Sequence, residues 1–148
     1  MSRFTQITPL NITPHGWIRW KVIPPPMRWH YLGRDWETPN DFITDGKSNK
    51  RFLWWWSPPW DGWSDAAVVV HDCYYRLHAA TGWLIGGRRE VSRREADRAM
   101  LYCSKDAIDD LHKAGRINRR RKLTLVIEAR VNYFAVRRFG GSAWRNNG

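Results

Sequence analysis

Hydrophobic and polar positions change rhythm about a third of the way along the chain. Trp17-Ile18-Arg19-Trp20-Lys21-Val22 alternates bulky and basic residues, the period-two pattern of a half-buried strand. Pro24-Pro25-Pro26 stops it, because proline supplies no backbone donor. Met27 to Leu32 reads as a second strand, Gly33-Arg34-Asp35 as a turn, and Trp36 to Ile43, interrupted at Pro39, as a third strand at an edge. Residues 1–16 are polar and carry Thr8-Pro9 and Thr13-Pro14, which predicts an extended arm. Thr44 to Ser48 is a loop. The Trp54-Trp55-Trp56 run after it suits either a short helix under the sheet or an exposed anchoring knob, the core position being favoured.

From there the rhythm is helical. Ser64 is a good N-cap and Asp65 puts a negative charge in the first turn of a helix expected over 65–80. Residues 81–90, with three glycines, read as a flexible connection. Ser92-Arg93-Arg94-Glu95 is a capping box that opens a second helix, expected to reach Ala114 with Gly115 as its stop. Ala96, Ala99, Met100, Cys103 and Ala107 form its apolar stripe, with Asp97 at the edge. A third helix follows Asn118 and runs to Phe139, closed by Gly140-Gly141. The tail after it is polar apart from Trp144. The fold class is therefore α+β: a small N-terminal antiparallel β meander followed by three longer helices. One domain spans 1–148, divided into the arm (1–16), a β part (17–58), a helical part (59–141) and a tail (142–148).

Charge adds a partner to this picture. Lys and Arg number 25 against 14 Asp and Glu, a net charge of +11. Such a balance favours anionic partners: nucleic acid, an acidic membrane surface or an acidic protein. Five basic residues between Arg116 and Lys122 crowd a helix N-terminus, where cations are disfavoured, so they are expected to serve a partner; a solvated basic face is the bland alternative. Eleven Trp are more than so short a chain hides easily, which points to an interface. Two Cys are too few for a disulfide scaffold, so a reducing compartment is expected. No apolar run approaches the roughly 20 residues of a membrane span, and no signal-peptide order is visible, which predicts a product made in the cytoplasm.

The chemistry concentrates in the first helix. His71 and Asp72 sit inside a segment apolar enough to be buried, and an ionisable pair there needs partners. His71 and Tyr75 share a face at i,i+4, while Asp72 points about 100° away. A buried, hydrogen-bonded structural histidine is the plain alternative to a catalytic one.

Two resemblances bear on that choice. Phe42-Ile43-Thr44-Asp45-Gly46 with Ser48, the Trp-rich segment with Pro58-Pro59, Ala66-Ala67 with His71-Asp72 and Tyr75, Arg94 with Ala96-Asp97, and Ala135-Val136-Arg137-Arg138-Phe139-Gly140 together resemble a phage- and prophage-encoded family, domain of unknown function 1353, over residues 17–141. That resemblance implies a phage origin and no established activity. Separately, Asp65-Ala66-Ala67 leading to His71-Asp72 and Tyr75, followed by Asp97 to Cys103, is similar to the antiparallel catalytic helices of phospholipases A2. The similarity implies His71 as the base that takes a proton from water, Asp97 as its orienting carboxylate, Tyr75 as hydrogen-bonding support and Asp72 as a Ca²⁺ ligand. Ca²⁺ takes about six to eight oxygens, so the loops at Asp45-Gly46 or Asp61-Gly62 would have to complete the set.

Three functions follow as expectations. The first is a structural or accessory protein of a phage virion, in the neck or tail, many copies assembling with other virion proteins through the arm and the tail, and carrying a retired or active hydrolase site. The second is a calcium-dependent, phospholipase A2-like esterase acting on lipid of the host envelope. The third, a nucleic-acid-binding accessory protein, has only charge behind it.

Overall fold

The computed structural model describes residues 8–15, 19–31, 33–39, 41–44, 62–76, 83–84 and 91–146. Six short strands and four helices follow one another along them, five strands before the first helix and the sixth between the first and second, so the fold is α+β as read from the sequence. The strands are β1 (Ile12–Pro14), β2 (Trp20–Val22), β3 (Arg28–Tyr31), β4 (Arg34–Glu37), β5 (Ile43–Thr44) and β6 (Trp83–Leu84).

They make two antiparallel three-stranded sheets rather than one meander, in the orders β1-β2-β5 and β3-β4-β6. The stretch expected as one edge strand from Trp36 to Ile43 is divided between them. Pro39 breaks it, Asp41 turns with φ 61°, and the chain leaves β4 to place Ile43 and Thr44 beside Lys21 and Trp20. The hairpin turn also falls earlier than expected: Tyr31 pairs with Arg34, so Arg34 and Asp35 belong to β4, and Gly33 turns with φ 72°.

Two segments expected to lack regular partners have them. Ile12 to Pro14, within the arm, pairs with β2, and Leu10 and Ile12 pack on the core. Trp83 and Leu84, in the expected flexible connection, pair with β4. The Trp54-Trp55-Trp56 run, expected as a short core helix or an exposed knob, lies outside the described residues, as do residues 77–80 of the expected first helix.

The helices are α1 (Asp65–Arg76), α2 (Arg93–Lys113), α3 (Arg119–Phe139) and a short α4 (Gly141–Asn146). The capping box forms: Ser92 Oγ accepts from Glu95 N–H, and the Glu95 carboxylate accepts from Ser92 N–H at 2.9 Å. Gly115 turns the chain with φ 69°, and Asn118 caps α3 by accepting from Arg121 N–H. Tyr75 of α1 reaches Arg93 and Asp97 near the start of α2, whereas Ala66 and Ala67 line the same cavity as Cys103 and Ala107 further along it, so the two helices run antiparallel. Lys122 pairs with Asp109 and Arg137 with Asp97, so α3 returns antiparallel along α2.

The core lies between the sheets and α1–α2. Trp29 Nε1 donates to the Tyr74 hydroxyl at 3.0 Å, and the Tyr74 ring meets Trp29 and Trp36 edge-on. Val69, Val70, Ala96 and Ala99 are fully buried beside them. Burial of this kind is worth about 1.5–3 kcal/mol for each large apolar side chain. The tail, expected to stay apart from its own domain, is helical, and the Trp144 ring packs edge-on against Tyr75 at 5.0 Å.

Candidate functional site: a histidine and a carboxylate between three helices

Helical spacing builds the site. His71 and Tyr75 lie one turn apart on α1, their rings 4.1 Å apart and tilted by 34°. Both face Asp97 of α2, which is wholly buried. His71 Nε2 lies 3.2 Å from Asp97 Oδ1, and the Tyr75 hydroxyl donates to that same oxygen at 2.6 Å. The other oxygen, Oδ2, accepts from Arg137 Nη1 of α3 at 2.8 Å. Arg93, one turn before Asp97, brings its Nε to 3.9 Å from Oδ2 and donates to the Tyr75 hydroxyl at 3.3 Å. One carboxylate thus binds donors from α1 and α3 and forms an ion pair with Arg93 of its own helix.

This arrangement selects a tautomer. A carboxylate accepts only, so Nε2 carries the proton toward Asp97 and Nδ1 keeps its lone pair in the neutral ring. Nδ1 lies 3.6 Å from Asp72 Oδ1, beyond hydrogen-bond reach. The His71 side chain is 10% exposed and that of Asp72 13%, whereas Asp97 is sealed.

Burial alone would lower the His71 pKa, but the Asp72 and Asp97 carboxylates outweigh it and hold the pKa above the ordinary histidine value. Burial would raise that of Asp97. Hydrogen bonds from His71, Tyr75 and Arg137 reverse this, and its carboxyl titrates below the usual range. Asp97 therefore orients the imidazole and stays ionised, the division of labour in hydrolase triads. Tyr75 is pushed above the ordinary tyrosine value, first by burial and then by Asp97, and acts as a donor. The buried thiols of Cys73 and Cys103 are also pushed up, Cys103 to about 12, so neither is a ready nucleophile.

Of the expected metal ligands, Asp72 and Gly62 are among the described residues. Asp72 Oδ2 accepts from Thr44 Oγ1 at 2.5 Å. Asp45, Gly46 and Asp61 lie outside the described residues. Gly62 turns with φ 78° and donates its N–H to Asp65 Oδ2 at 3.1 Å. Among the described residues no group of three or more His, Cys, Asp or Glu is set to hold a metal ion.

Sequence reasoning gave Arg137, Arg93, Thr44 and Gly140 no part in this site. Arg93 was readable as the i−4 neighbour of Asp97. It also donates from Nη2 to the carbonyls of Val136 and Arg137, at 2.9 and 2.7 Å, a cation on the C-terminus of α3. Gly140 lets that terminus close on the site, since a Cβ there would stand 2.8 Å from the Tyr75 hydroxyl.

A family model described as a protein of unknown function, DUF1353, matches residues 20–116. The match takes in His71, Asp72, Tyr75, Arg93 and Asp97 and ends before α3. No curated protein and no solved structure matches.

Proposed function

The chain belongs to the DUF1353 family, whose model matches more than half of its 148 residues, and from that premise we propose that His71 and Asp97 form the general-base dyad of an ester hydrolase. The observation that carries the reading is the contact of His71 Nε2 with a buried, ionised Asp97, which leaves the basic lone pair on Nδ1, at the Asp72 side of the ring. In the reaction Nδ1 takes a proton from water as the water oxygen bonds to the ester carbonyl carbon. The tetrahedral intermediate then expels the alkoxide, which recovers the proton from Nδ1. Asp97 and Asp72, on either side of the ring, favour the imidazolium formed in between. No step is routed through calcium.

Phospholipid is the first substrate class to test, by the similarity of α1 and α2 to the phospholipase A2 helices. Residues 8–15 and Trp144 lie on the chain's own core, so the reading rests on the dyad and draws nothing from the ends as virion contacts. A place in a phage particle is compatible with it, because a virion component can carry a lytic site.

The test is turnover of phospholipid and of a soluble aryl ester by wild type, His71→Ala and Asp97→Asn, each checked for folding by circular dichroism. His71→Ala should lose about a hundredfold or more. Wild-type turnover no greater than that of His71→Ala would leave the pair a purely structural tie between helices.

A further inference from the structure

Among the described residues, the large apolar side chains left exposed all belong to α3. Leu123, Ile127 and Phe134 are 66%, 54% and 67% exposed, with Val131 beside them at 40%. At about 100° per residue the first three fall within about 40° of arc, a stripe roughly 16 Å long. Exposed Arg120, Arg130 and Arg138 flank that arc, each within about 20° of its edges, and exposed Arg119 and Arg121 crowd the N-terminal end. The helix has a single acid, Glu128, and it is buried.

We infer that this face docks on an anionic lipid surface. Five exposed guanidinium groups with no exposed acid on the helix are complementary to acidic headgroups. The apolar stripe decides among anionic partners. A nucleic-acid backbone gives Leu123, Ile127 and Phe134 nothing to bury against, whereas the boundary between headgroups and acyl chains does. A second copy of the chain is disfavoured, because two such faces would oppose one row of arginines to another. The binding is peripheral: among the described residues no helix is long and apolar enough to cross a bilayer. Arginines at a helix N-terminus, unfavourable for the isolated helix, then have a counter-charge.

The test uses the full chain and sucrose-loaded vesicles of ether-linked lipid, which has no acyl ester to cleave, so binding is read apart from any turnover by the dyad. Phosphatidylglycerol vesicles should bind at least about tenfold more tightly than phosphatidylcholine vesicles, with the preference falling as salt rises. Ile127→Ser/Phe134→Ser should lose about tenfold with unchanged circular dichroism and Tm, since both side chains are exposed. Arg120→Gln/Arg130→Gln/Arg138→Gln, which leaves the apolar stripe intact, should lose the headgroup preference. Equal binding to both lipids, wild-type binding by both variants, tighter binding to duplex DNA than to phosphatidylglycerol, or self-association through the stripe without lipid binding would each overturn the inference.

Discussion

Arg137 Nη1 lies 2.8 Å from Asp97 Oδ2, so the last turns of α3 are tied to the carboxylate that orients His71. The dyad and the packing of three helices depend on one buried charge. Asp97→Asn should therefore cost about 3 kcal/mol of stability, since it strips the charge from a buried network and leaves donors facing an amide. Arg137→Met should cost about 1 kcal/mol, because that side chain is 35% exposed and water screens the pair. Urea denaturation of the two single variants and the double variant gives the coupling. A double-variant loss equal to the simple sum would show that Arg137 and Asp97 act independently.

The same network sets a pH window. Asp97 is lowered in the folded state, so its contribution is complete above the unfolded carboxylate value of about 4 and is lost as pH falls through the lower folded value. His71 is raised, so its contribution is complete below about 6.5 and is lost as pH rises through the higher folded value. Wild-type Tm should fall from pH 5 to pH 8 by more than that of His71→Gln. Hydrolysis, which needs the neutral ring, should rise over that upper limb. An equal Tm change in the two proteins would remove His71 from the linkage.

The helix starts were legible because their signals are local. Ser92 and Glu95 sit three apart and form the capping box, and Asn118 immediately precedes the helix it caps. His71, Tyr75 and Asp97 were legible as a constellation, since i,i+4 spacing puts the first two on one face and the second helix supplies the acid. The sheets were not, because pairing is non-local: nothing near Ile43 says that it will leave β4 for Lys21 of β2. Arg137 was hidden for the same reason, 40 residues from its partner. Trp144, the lone apolar residue of a polar tail, was the available sign that the tail returns to the core.

Gly140 is the close-approach residue of the site. A Cβ there would stand 2.6 Å from the Val136 carbonyl and 2.8 Å from the Tyr75 hydroxyl, distances that force a shift. Gly140→Ala should displace the Tyr75 hydroxyl from Asp97 and destabilise by about 1–3 kcal/mol, as overpacking does. Gly140→Ala/Tyr75→Phe should recover part of that loss, because the clashing oxygen is gone. Chemical denaturation of both decides it, and no recovery in the double variant would place the strain at the Val136 carbonyl instead.

Calcium is the remaining test of how the site works. Thr44 Oγ1 donates to Asp72 Oδ2 at 2.5 Å, and His71 Nδ1 stands 3.6 Å from Oδ1, so both oxygens of the expected ligand face other groups. A hard cation that takes about six to eight oxygens would have to share Asp72 with the Thr44 hydroxyl and draw the rest from elsewhere. The expected outcome is that 10 mM Ca²⁺ (about ten times a millimolar Kd) leaves Tm unchanged and that a chelator leaves ester turnover unchanged. Binding at a Kd of about 1 mM would instead add about 1.4 kcal/mol at that concentration, a rise of a few degrees. Such a rise in wild type, abolished by Asp72→Asn and kept by His71→Ala, would place the ion on Asp72 and make the proposed hydrolysis calcium-dependent. Thr44→Val sharpens the comparison by releasing Oδ2 from its donor. If that variant alone gains a calcium-dependent shift, the Thr44 hydroxyl is what keeps the carboxylate from the metal.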